Sequence, residues 1–407
     1  MIRHLKNQKL LVVTKLGIAQ MVTWGSTFFL PAILSDTMSA DLKISDTDIY
    51  ACLSGALVIS AILSPFMGRK IDMFGGRTVM STSSLLIATG LISMGLAENQ
   101  YLFYMSWIFI GLGMSMGLYD IAFSTVARIY GRDSRSAMVG VTLIGGLASV
   151  ICFPLSAYLE VKFGWRITCF IWAALHLTIC FPLYRLLPNP TSDVPHTTQT
   201  KSSLVKEMEE TVHSTNDMIT MALVALMFVF ISLTAAGTST NLPRLIAALH
   251  VDPTLAIIAA ALFGPSQILG RSLDLFLSSR FHPFYAVRFA FLFHPIGAIS
   301  ILIFGAPAAI VFVVLHGVGN GILTTAMGTV PLLLFGSKGY GWRQGILTVP
   351  RRLGMAAAPF VFALMLHKLG ASVLLITTTT SLLGLTTLFV ISSTRPMDNL
   401  DPAKNTA

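Results

Sequence analysis

The sequence repeats itself about halfway along the chain, inside stretches of apolar residues. The segment Gly25–Pro31 follows the pattern G-[ST]-x-x-x-L-P, which returns 212 residues later at Gly237–Pro243. A second pattern, G-R-x-x-D, begins at Gly68 and returns 202 residues later at Gly270. The smaller second offset places one insertion of ten residues in the first half, within residues 35–48, where we expect a loop. The repeat therefore predicts two homologous halves in one chain.

The composition shows what surrounds these halves. Apolar residues make up 54% of the chain, charged residues only 11%, and the mean hydropathy is +0.75. A soluble chain carries about a quarter charged residues, so the apolar surface here must be covered by lipid. Runs of about 20 apolar residues are long enough to cross a hydrocarbon core of roughly 30 Å as helices. Twelve such spans are predicted, at roughly 10–34, 49–70, 78–97, 102–127, 137–159, 166–184, 218–242, 254–273, 286–304, 308–335, 345–366 and 371–392.

The basic residues predict how the spans are oriented. Twelve spans place 22 of the 27 Lys and Arg residues on the side of the N-terminus. The positive-inside rule then predicts that both termini are cytoplasmic. We expect a multi-pass protein of the cell membrane, which we assign to a bacterial inner membrane. The net charge of +9 is spread over loops rather than gathered in a basic domain, so no nucleic-acid partner is expected.

The predicted halves are residues 1–184 and 218–407, joined by a cytoplasmic linker over residues 185–217. Apolar residues at helical spacing over Ser202–His213 predict a short amphipathic helix within that linker. A layout of two repeated bundles is one that membrane transporters use to build a solute site between halves. We expect the chain to act as a monomer in the lipid bilayer.

Other classes of protein are disfavoured by what the sequence lacks. The four cysteines have neither metal nor redox spacing. Glycines crowd spans four and ten, but no strand precedes them as a phosphate-binding loop requires, so they indicate close helix packing. No nucleophile–base pair or metal-ligand cluster is evident. The sequence therefore predicts neither an enzyme nor a cofactor or metal site.

The loop after span two carries a recognisable signature. The residues from Gly68 to Arg77 resemble the pattern G-x-x-x-D-[RK]-x-G-[RK]-[RK] of the major facilitator superfamily, with Met73 and Gly76 where basic residues are usual. With twelve spans, a central linker and the repeat, the resemblance covers the whole chain. It implies an all-α membrane protein of two pseudo-symmetric six-helix bundles. These would rock about a central cavity, lined mainly by spans one, four, seven and ten, and so move a small solute by alternating access.

Two acidic residues are predicted to hold the halves together at the cytoplasmic surface. Asp72 lies in the signature, and the family fold implies that the start of span eleven, near Trp342–Gly345, lies opposite. A helix N-terminus attracts a carboxylate by about 0.3–1 kcal/mol, and by up to ~2 kcal/mol when the group is partly buried. We expect a contact there that breaks when the halves rock, and a mirror contact with span five; solvated loop residues are the alternative. The gating residues predicted in this way are Asp72, Arg69, Arg77, Arg271 and Asp274.

Asp120 is the only acidic residue deep inside a predicted span. Ionisable residues inside a membrane are functional candidates by default. A carboxyl group there could take up and release a proton as the cavity changes its exposure. The alternative is a static ion pair with an arginine such as Arg128 or Arg351. His316 could share the proton-coupling role, because histidine titrates near neutral pH.

Two arginines, Arg351 and Arg352, lie roughly two turns inside span eleven. Arginine binds carboxylates through two parallel hydrogen bonds, so these residues predict an anionic substrate; anchoring at the membrane interface is the alternative. Organic-anion and monocarboxylate members of the superfamily are similar in using cations in spans eight and eleven, and Arg271 is the candidate in span eight. The lysine that monocarboxylate carriers usually have after the proline of span one is replaced by Ala32.

Polar side chains recur along one face of several spans and predict the lining of the cavity. Hydrogen bonding between helices is the alternative. The residues predicted to bind substrate are Arg351, Arg352, His316, Asn320, Thr238, Asn241, Gln20 and Trp24.

These observations predict a proton-coupled symporter for a small organic anion. Efflux of a toxic or amphiphilic compound is the alternative, although two features of drug antiporters are missing. Trp107 replaces the arginine that they often carry in span four, and Phe153–Ala157 lacks the glycines of their span-five signature. A membrane sensor that does not transport is a remote third possibility.

Overall fold

The structure is a computed structural model that describes residues 2–188, 215–249, 251–277 and 283–394. All regular secondary structure within these ranges is helical. The predicted linker helix over Ser202–His213 lies outside the described residues, and the predicted domain boundaries stay predictions.

The first half contains six spans. The first span begins on the N-terminal side of the bilayer, here called the inner side. Span five bends into span six at Gly164, whose φ of 81° and ψ of 165° interrupt the helix. The helices are Ile2–Ser26 and Pro31–Leu42 (span one), Asp46–Phe74 (span two), Gly76–Gly95 (span three), Gln100–Gly117 and Tyr119–Tyr130 (span four), the 3-10 turn Gly131–Ser134, Arg135–Gly145 and Ala148–Leu175 (span five and the start of span six), the π-helical turn His176–Cys180, and Phe181–Arg185.

The second half repeats this plan with six further spans. Its helices are Thr215–Thr240 and Leu242–Ala248 (span seven), Pro253–Leu277 (span eight), Pro283–Phe304 (span nine), the 3-10 turn Ala306–Ala308, Ala309–Phe335 (span ten), Tyr340–Leu369 (span eleven), the 3-10 turn Gly370–Ser372, and Val373–Thr394 (span twelve).

The predicted fold of twelve membrane-spanning helices is confirmed. Ten apolar helical stretches in the described residues are long enough to cross a bilayer. Two of them, residues 135–185 and 340–393, have 51 and 54 residues and therefore contain two crossings each. Large side chains such as Val161 and Phe360, which are 90% and 70% exposed, cover the outside and are suited to contact with lipid.

One predicted loop is largely helical. The sequence predicts a loop over residues 35–48, but helix Pro31–Leu42 occupies most of that segment. Proline suits the first turn of a helix, which explains the start at Pro31. Lys43 adopts a left-handed conformation with φ of 53° and ends the helix. Ser45 and Asp48 then form a reciprocal capping box that begins span two.

The halves meet along spans two and eleven. Glycines make this approach possible, because the backbone of Gly68 packs directly against the carbonyl of Gly341, and Gly345 packs against Pro65. A hydrogen bond of 3.2 Å from the Ser54 hydroxyl to the Ala356 carbonyl continues the contact past the middle of the span. The halves are therefore closed against each other on the inner side.

Candidate functional site

A cavity of about 160 Å³ lies between the two halves. Spans one, four and five of the first half line it, together with spans seven, eight, ten and eleven of the second half. Four of these seven spans are those that the family resemblance implies, while spans five, eight and eleven complete the wall.

The first half contributes an aromatic wall to the cavity, made of Trp24, Phe28, Phe29, Tyr119 and Phe123. The rings of Trp24 and Tyr119 are 5.3 Å apart, and those of Tyr119 and Phe123 stack at 5.8 Å. Such a wall suits a planar or apolar part of a solute.

A break in span four positions the acidic residue of the site. Leu118 is extended, with ψ of 176°, so a new helix starts at Tyr119 and places Asp120 in its first turn. A carboxylate is favourable at that position because of the helix dipole. Asp120 is buried, and it lies on the cavity lining.

Asp120 is paired with both predicted arginines of span eleven. Its Oδ1 lies 2.7 Å from Nη2 of Arg352 and 3.6 Å from Nη2 of Arg351. The sequence leaves Arg128 and Arg351 as possible partners, and the structure shows Arg351 with Arg352. Arg128 instead donates hydrogen bonds to the backbone carbonyl of Asp72 and, at 3.4 Å, to that of Met73.

The two arginines face different surroundings. Arg352 is fully buried and also donates to the hydroxyls of Ser60 and Ser64 in span two, so it joins the halves instead of lining the cavity. Arg351 does line the cavity. Adjacent residues on a helix point about 100° apart, which explains the separation.

Arg271 of span eight also lines the cavity and is 5% exposed. Its Nη2 donates a hydrogen bond of 3.3 Å to the side-chain oxygen of Gln267. Its Nε and Nη1 have no hydrogen-bond partner among the described residues. The absent side chain of Gly146 in span five leaves the space that this guanidinium occupies. A buried cation thus lies at the cavity, and no ion-pair partner for it is found in the part of the chain that the structure describes.

The polar residues predicted to bind substrate divide into two groups. Asn320 and Trp24 lie on the cavity. Gln20 donates a hydrogen bond of 2.5 Å to the Gly117 carbonyl, and Asn241 donates one of 3.1 Å to the Pro359 carbonyl.

Gln20 and Asn241 thus form hydrogen bonds between helices, which is the alternative to lining the cavity. Thr238 is fully buried and does not line the cavity, and His316 contacts His294 instead. The sequence analysis missed two cavity residues, Tyr119 and Gln267. The available signals were that Tyr119 is adjacent to Asp120 and that Gln267 lies one helical turn before Arg271.

Asp72 makes the contact that the sequence predicts with the start of span eleven. Its Oδ1 accepts from the backbone N–H of Gly341 at 2.9 Å, and its Oδ2 accepts from that of Trp342 at 2.7 Å. We call this contact the first latch. Arg69 and Arg77 are half-buried, and no ion pair joins either one to Asp72 within the described part of the chain.

Asp274 makes the corresponding contact with the start of span five, here called the second latch. One carboxylate oxygen lies 3.8 Å from Nη2 of Arg135, and the other accepts a 2.5 Å hydrogen bond from the hydroxyl of Thr325 in span ten. Arg271 lies one turn before Asp274, yet the structure places it on the cavity and not in this latch. A gating role for these contacts stays a prediction.

Two six-span halves surround a polar and aromatic cavity, an arrangement that membrane transporters use to build a solute site. A sequence profile described as Major Facilitator Superfamily matches residues 16–359, and the chain belongs to that superfamily. The resemblance seen in the sequence is thereby confirmed. Members of this family are transporters and not enzymes.

Curated relatives match only part of their own length. The Agnestins efflux protein AgnL12 of Paecilomyces divaricatus is 30% identical over 166 residues, which cover 39% of this chain and 36% of that protein. A probable sugar efflux transporter of Haemophilus influenzae is 29% identical over 169 residues, 41% of each chain. The chain thus spans about two fifths of the length of these relatives.

Solved structures match nearly the whole fold. The human organic anion transporter MFSD10 (TETRAN) has a TM-score of 0.69 and 17% identity, with 94% of this chain and 99% of that chain covered. FucP in its outward conformation has a TM-score of 0.74 and 13% identity, with 95% and 99% covered. At these identities the likeness shows the fold alone.

Proposed function

We propose that the chain transports a small organic anion together with protons, and that Arg271 and Arg351 bind the anionic group. One observation carries this proposal, namely the buried guanidinium of Arg271 on the cavity, which lacks a counter-ion among the described residues. Removing an ion from water costs several kcal/mol unless a partner compensates. An anion that enters the cavity would supply that partner.

The balance of charge around the cavity supports an anionic substrate. Arg271, Arg351 and Arg352 carry three positive charges against the single negative charge of Asp120. A cationic solute would add to this excess, and a neutral sugar would leave it unchanged. A carboxylate or sulfonate would reduce it.

The size and walls of the cavity favour a compact substrate with an apolar part. A volume of about 160 Å³ resembles that of an engineered cavity of about 150 Å³ that binds benzene. The aromatic wall and the two arginines line the same cavity. We therefore propose a single-ring or short-chain acid.

Proton coupling is proposed to involve Asp120 and His316. Asp120 Oδ2 has no hydrogen-bond partner among the described side chains, and Arg351 is held only loosely, at 3.6 Å. A substrate anion could therefore compete with Asp120 for Arg351, while Arg352 stays in place. Protonation of Asp120 would favour this exchange of partners and link proton uptake to anion binding.

The two latches are proposed to keep the inner side closed and to break when the cavity opens there. Asp72 and Asp274 supply the carboxylates. Arg69 and Arg77 would stabilise the first latch only by electrostatic attraction at longer range, since no ion pair joins either one to Asp72 among the described residues. We further propose a bacterial inner membrane with both chain termini cytoplasmic.

Export of the same class of solute is the second candidate. The observation that favours it is that the partial relatives are named as efflux proteins, including a multidrug resistance protein MdtG of Citrobacter koseri at 31% identity over 127 residues. An exporter would use the same cavity with the proton moving in the opposite direction to the anion.

Uptake into proteoliposomes tests the proposal. Labelled oxalate and benzenesulfonate are suitable probes, because such anions do not diffuse through lipid as readily as weak monocarboxylic acids. We expect an inward proton gradient to drive accumulation of at least one of them above protein-free liposomes. Accumulation only under an outward gradient would favour export over symport.

Arg271→Gln should strongly reduce this accumulation at low anion concentration, while the matched control Arg166→Gln should retain it. Arg166 is a half-exposed arginine that pairs with Asp41 away from the cavity. Equal transport by Arg271→Gln and the unmodified protein would contradict the proposed anion site.

A further inference from the structure

Two buried histidines of the second half contact each other directly. Nδ1 of His294 in span nine lies 2.9 Å from Nδ1 of His316 in span ten. Nε2 of His294 lies 2.9 Å from the hydroxyl oxygen of Thr377 in span twelve. The two rings, here called the histidine pair, thus link three spans of one half.

The hydrogen bonds of Thr377 favour one arrangement of the protons in the neutral pair. The Thr377 hydroxyl donates to the Leu374 carbonyl at 3.1 Å, so its oxygen is free to accept from Nε2–H of His294. Nδ1 of His294 is then unprotonated and accepts from Nδ1–H of His316. This arrangement leaves Nε2 of His316 with a lone pair, and that atom has no hydrogen-bond partner among the described residues.

Two aromatic faces flank the imidazole of His316. The rings of Phe263 and Phe312 lie nearly parallel to the imidazole, with centroids 5.5 Å and 5.9 Å away. Aromatic faces within about 6 Å of a cation stabilise it. Protonation of His316 would therefore place its charge beside two aromatic rings.

No charged side chain of the described residues lines the space beside the pair. The groups that line the small cavity beside the pair are uncharged, and the polar ones are Thr234 from span seven, Asn320 from span ten and Ser381 from span twelve. From spans eight and nine the lining and stacking residues are apolar, apart from His294 itself. A proton bound here would add a full unit of charge to the second half, and it could leave again without breaking an ion pair.

The pair lies next to the substrate cavity. The small cavity has a volume of about 20 Å³, which is room for one water molecule. Ile231, Ala235 and Asn320 line both this space and the substrate cavity. His316 lies seven residues from the outer end of span ten, or about 10 Å along the helix, whereas Asp120 lies in the inner part of span four.

We propose that His294 and His316 form a one-proton site at which Nε2 of His316 takes up the proton that drives transport. The proton adds to the lone pair of that nitrogen and returns to water in the cavity on release, and no other bond is formed or broken. Only one proton is bound, because two imidazolium rings in contact would repel each other. His294 is a positioning residue that holds Nδ1–H of His316 and so fixes which nitrogen is free.

This inference rests on the proposed function for the link to transport, but proton binding by the pair does not depend on the substrate. Asp120, the other proposed coupling group, is held by Arg352 at 2.7 Å in a buried ion pair. The pair and Asp120 can be separated by experiment, since they lie in different halves of the chain.

Nitrogen NMR of histidine-labelled protein in liposomes tests proton binding directly. As the pH is lowered, we expect the pair to change from two neutral rings to one imidazolium, with a single proton taken up. His316→Gln should abolish this step, and His294→Gln should shift its midpoint but retain it. His176→Gln should leave the step unchanged, because His176 is a buried histidine of the first half that contacts Ser26 at 2.8 Å.

Transport of labelled oxalate and benzenesulfonate tests the link to coupling. His316→Gln should lose at least tenfold of the accumulation driven by a proton gradient, yet exchange of labelled for unlabelled anion should continue. Phe263→Leu, which keeps both histidines, should lower the pH at which the pair is protonated. This second variant keeps the test decisive if His316→Gln does not fold.

Three outcomes would overturn the inference: no pH-dependent change in either ring, independent protonation of both rings, or full gradient-driven accumulation by His316→Gln. Each of them leaves the anion site at Arg271 untouched. Conversely, failure of every anion to be transported would overturn the proposed function, while the NMR result would still decide whether the pair binds a proton.

Discussion

The two copies of the G-R-x-x-D motif occupy related positions in the two halves but differ in what their arginines and aspartates contact. In the first half, Asp72 accepts two backbone N–H groups from the start of span eleven, and Arg69 stays half-buried beside the loop. In the second half, Asp274 pairs loosely with Arg135, and Arg271 lies on the cavity. The first copy of the motif thus supplies a close hydrogen-bonded contact between the halves, and the second copy supplies a cation that lines the cavity.

Glycine positions show the same divergence. Gly68 packs against the backbone of Gly341 in the opposite half, whereas Gly270 packs against the backbone of Val318 within its own half. A repeat preserves helix order and small-residue contacts, but the partner of each contact has changed. The predictions below use the difference between the halves, from the largest expected effect to the smallest.

The ion pair that joins the halves should give the largest effect on stability. Arg352→Met removes the closest partner of Asp120 and the donor to Ser60 and Ser64. Breaking a buried pair by removing one partner costs about 3–5 kcal/mol. Thermal unfolding of the purified protein in detergent should show this loss, with Arg166→Met as the control at an exposed pair. A melting temperature within the error of the unmodified protein would contradict the assigned role of Arg352.

Separate replacement of the two motif arginines should distinguish a role in substrate binding from a purely structural role. Arg271→Gln should raise the substrate concentration needed for half-maximal transport by about 10–100-fold, because a hydrogen bond to a charged group contributes about 1.5–3 kcal/mol. Arg69→Gln, at the equivalent position, should change it less than about twofold. Without substrate, Arg271→Gln should also unfold at a higher temperature, since it removes an uncompensated buried charge. Similar transport defects in both variants would show that the halves have not diverged.

The sequence predicts the parts of this molecule that depend on hydropathy and on local motifs. Twelve spans follow from runs of apolar residues, and the contact of Asp72 with span eleven follows from the signature and the family fold. Side-chain direction could not be predicted, because in a wholly apolar helix no amphipathic pattern shows which face is inward. Arg351 and Arg352 are therefore equivalent in sequence but lie on different surfaces. His294 was missed, although an ionisable residue inside span nine was a sufficient signal.

The first latch should control which side of the cavity is open. Asp72→Asn removes the charge that two backbone N–H groups of span eleven stabilise, a loss of up to ~2 kcal/mol. We expect the population open to the inner side to increase, by up to about 30-fold in the ratio of open to closed forms. A spin-label distance measured between the inner ends of spans two and eleven should report the change, with Asp46→Asn at the outer end of span two as the control. An unchanged distance distribution would rule out a latch.

The second latch should give the smallest effect, since its ion pair is long and its other contact survives substitution. Asp274→Asn loses the 3.8 Å attraction to Arg135, but the amide oxygen can still accept from the Thr325 hydroxyl. The carboxylate is buried, but the arginine side chain is 22% exposed and the pair is long, so we expect it to contribute about 0.2–1 kcal/mol. The shift toward the inner-open form should therefore stay below about fivefold. The same kind of spin-label distance, measured between the inner ends of spans five and eight, checks this order. A larger shift for Asp274→Asn than for Asp72→Asn would reverse the comparison and assign the dominant latch to the second half.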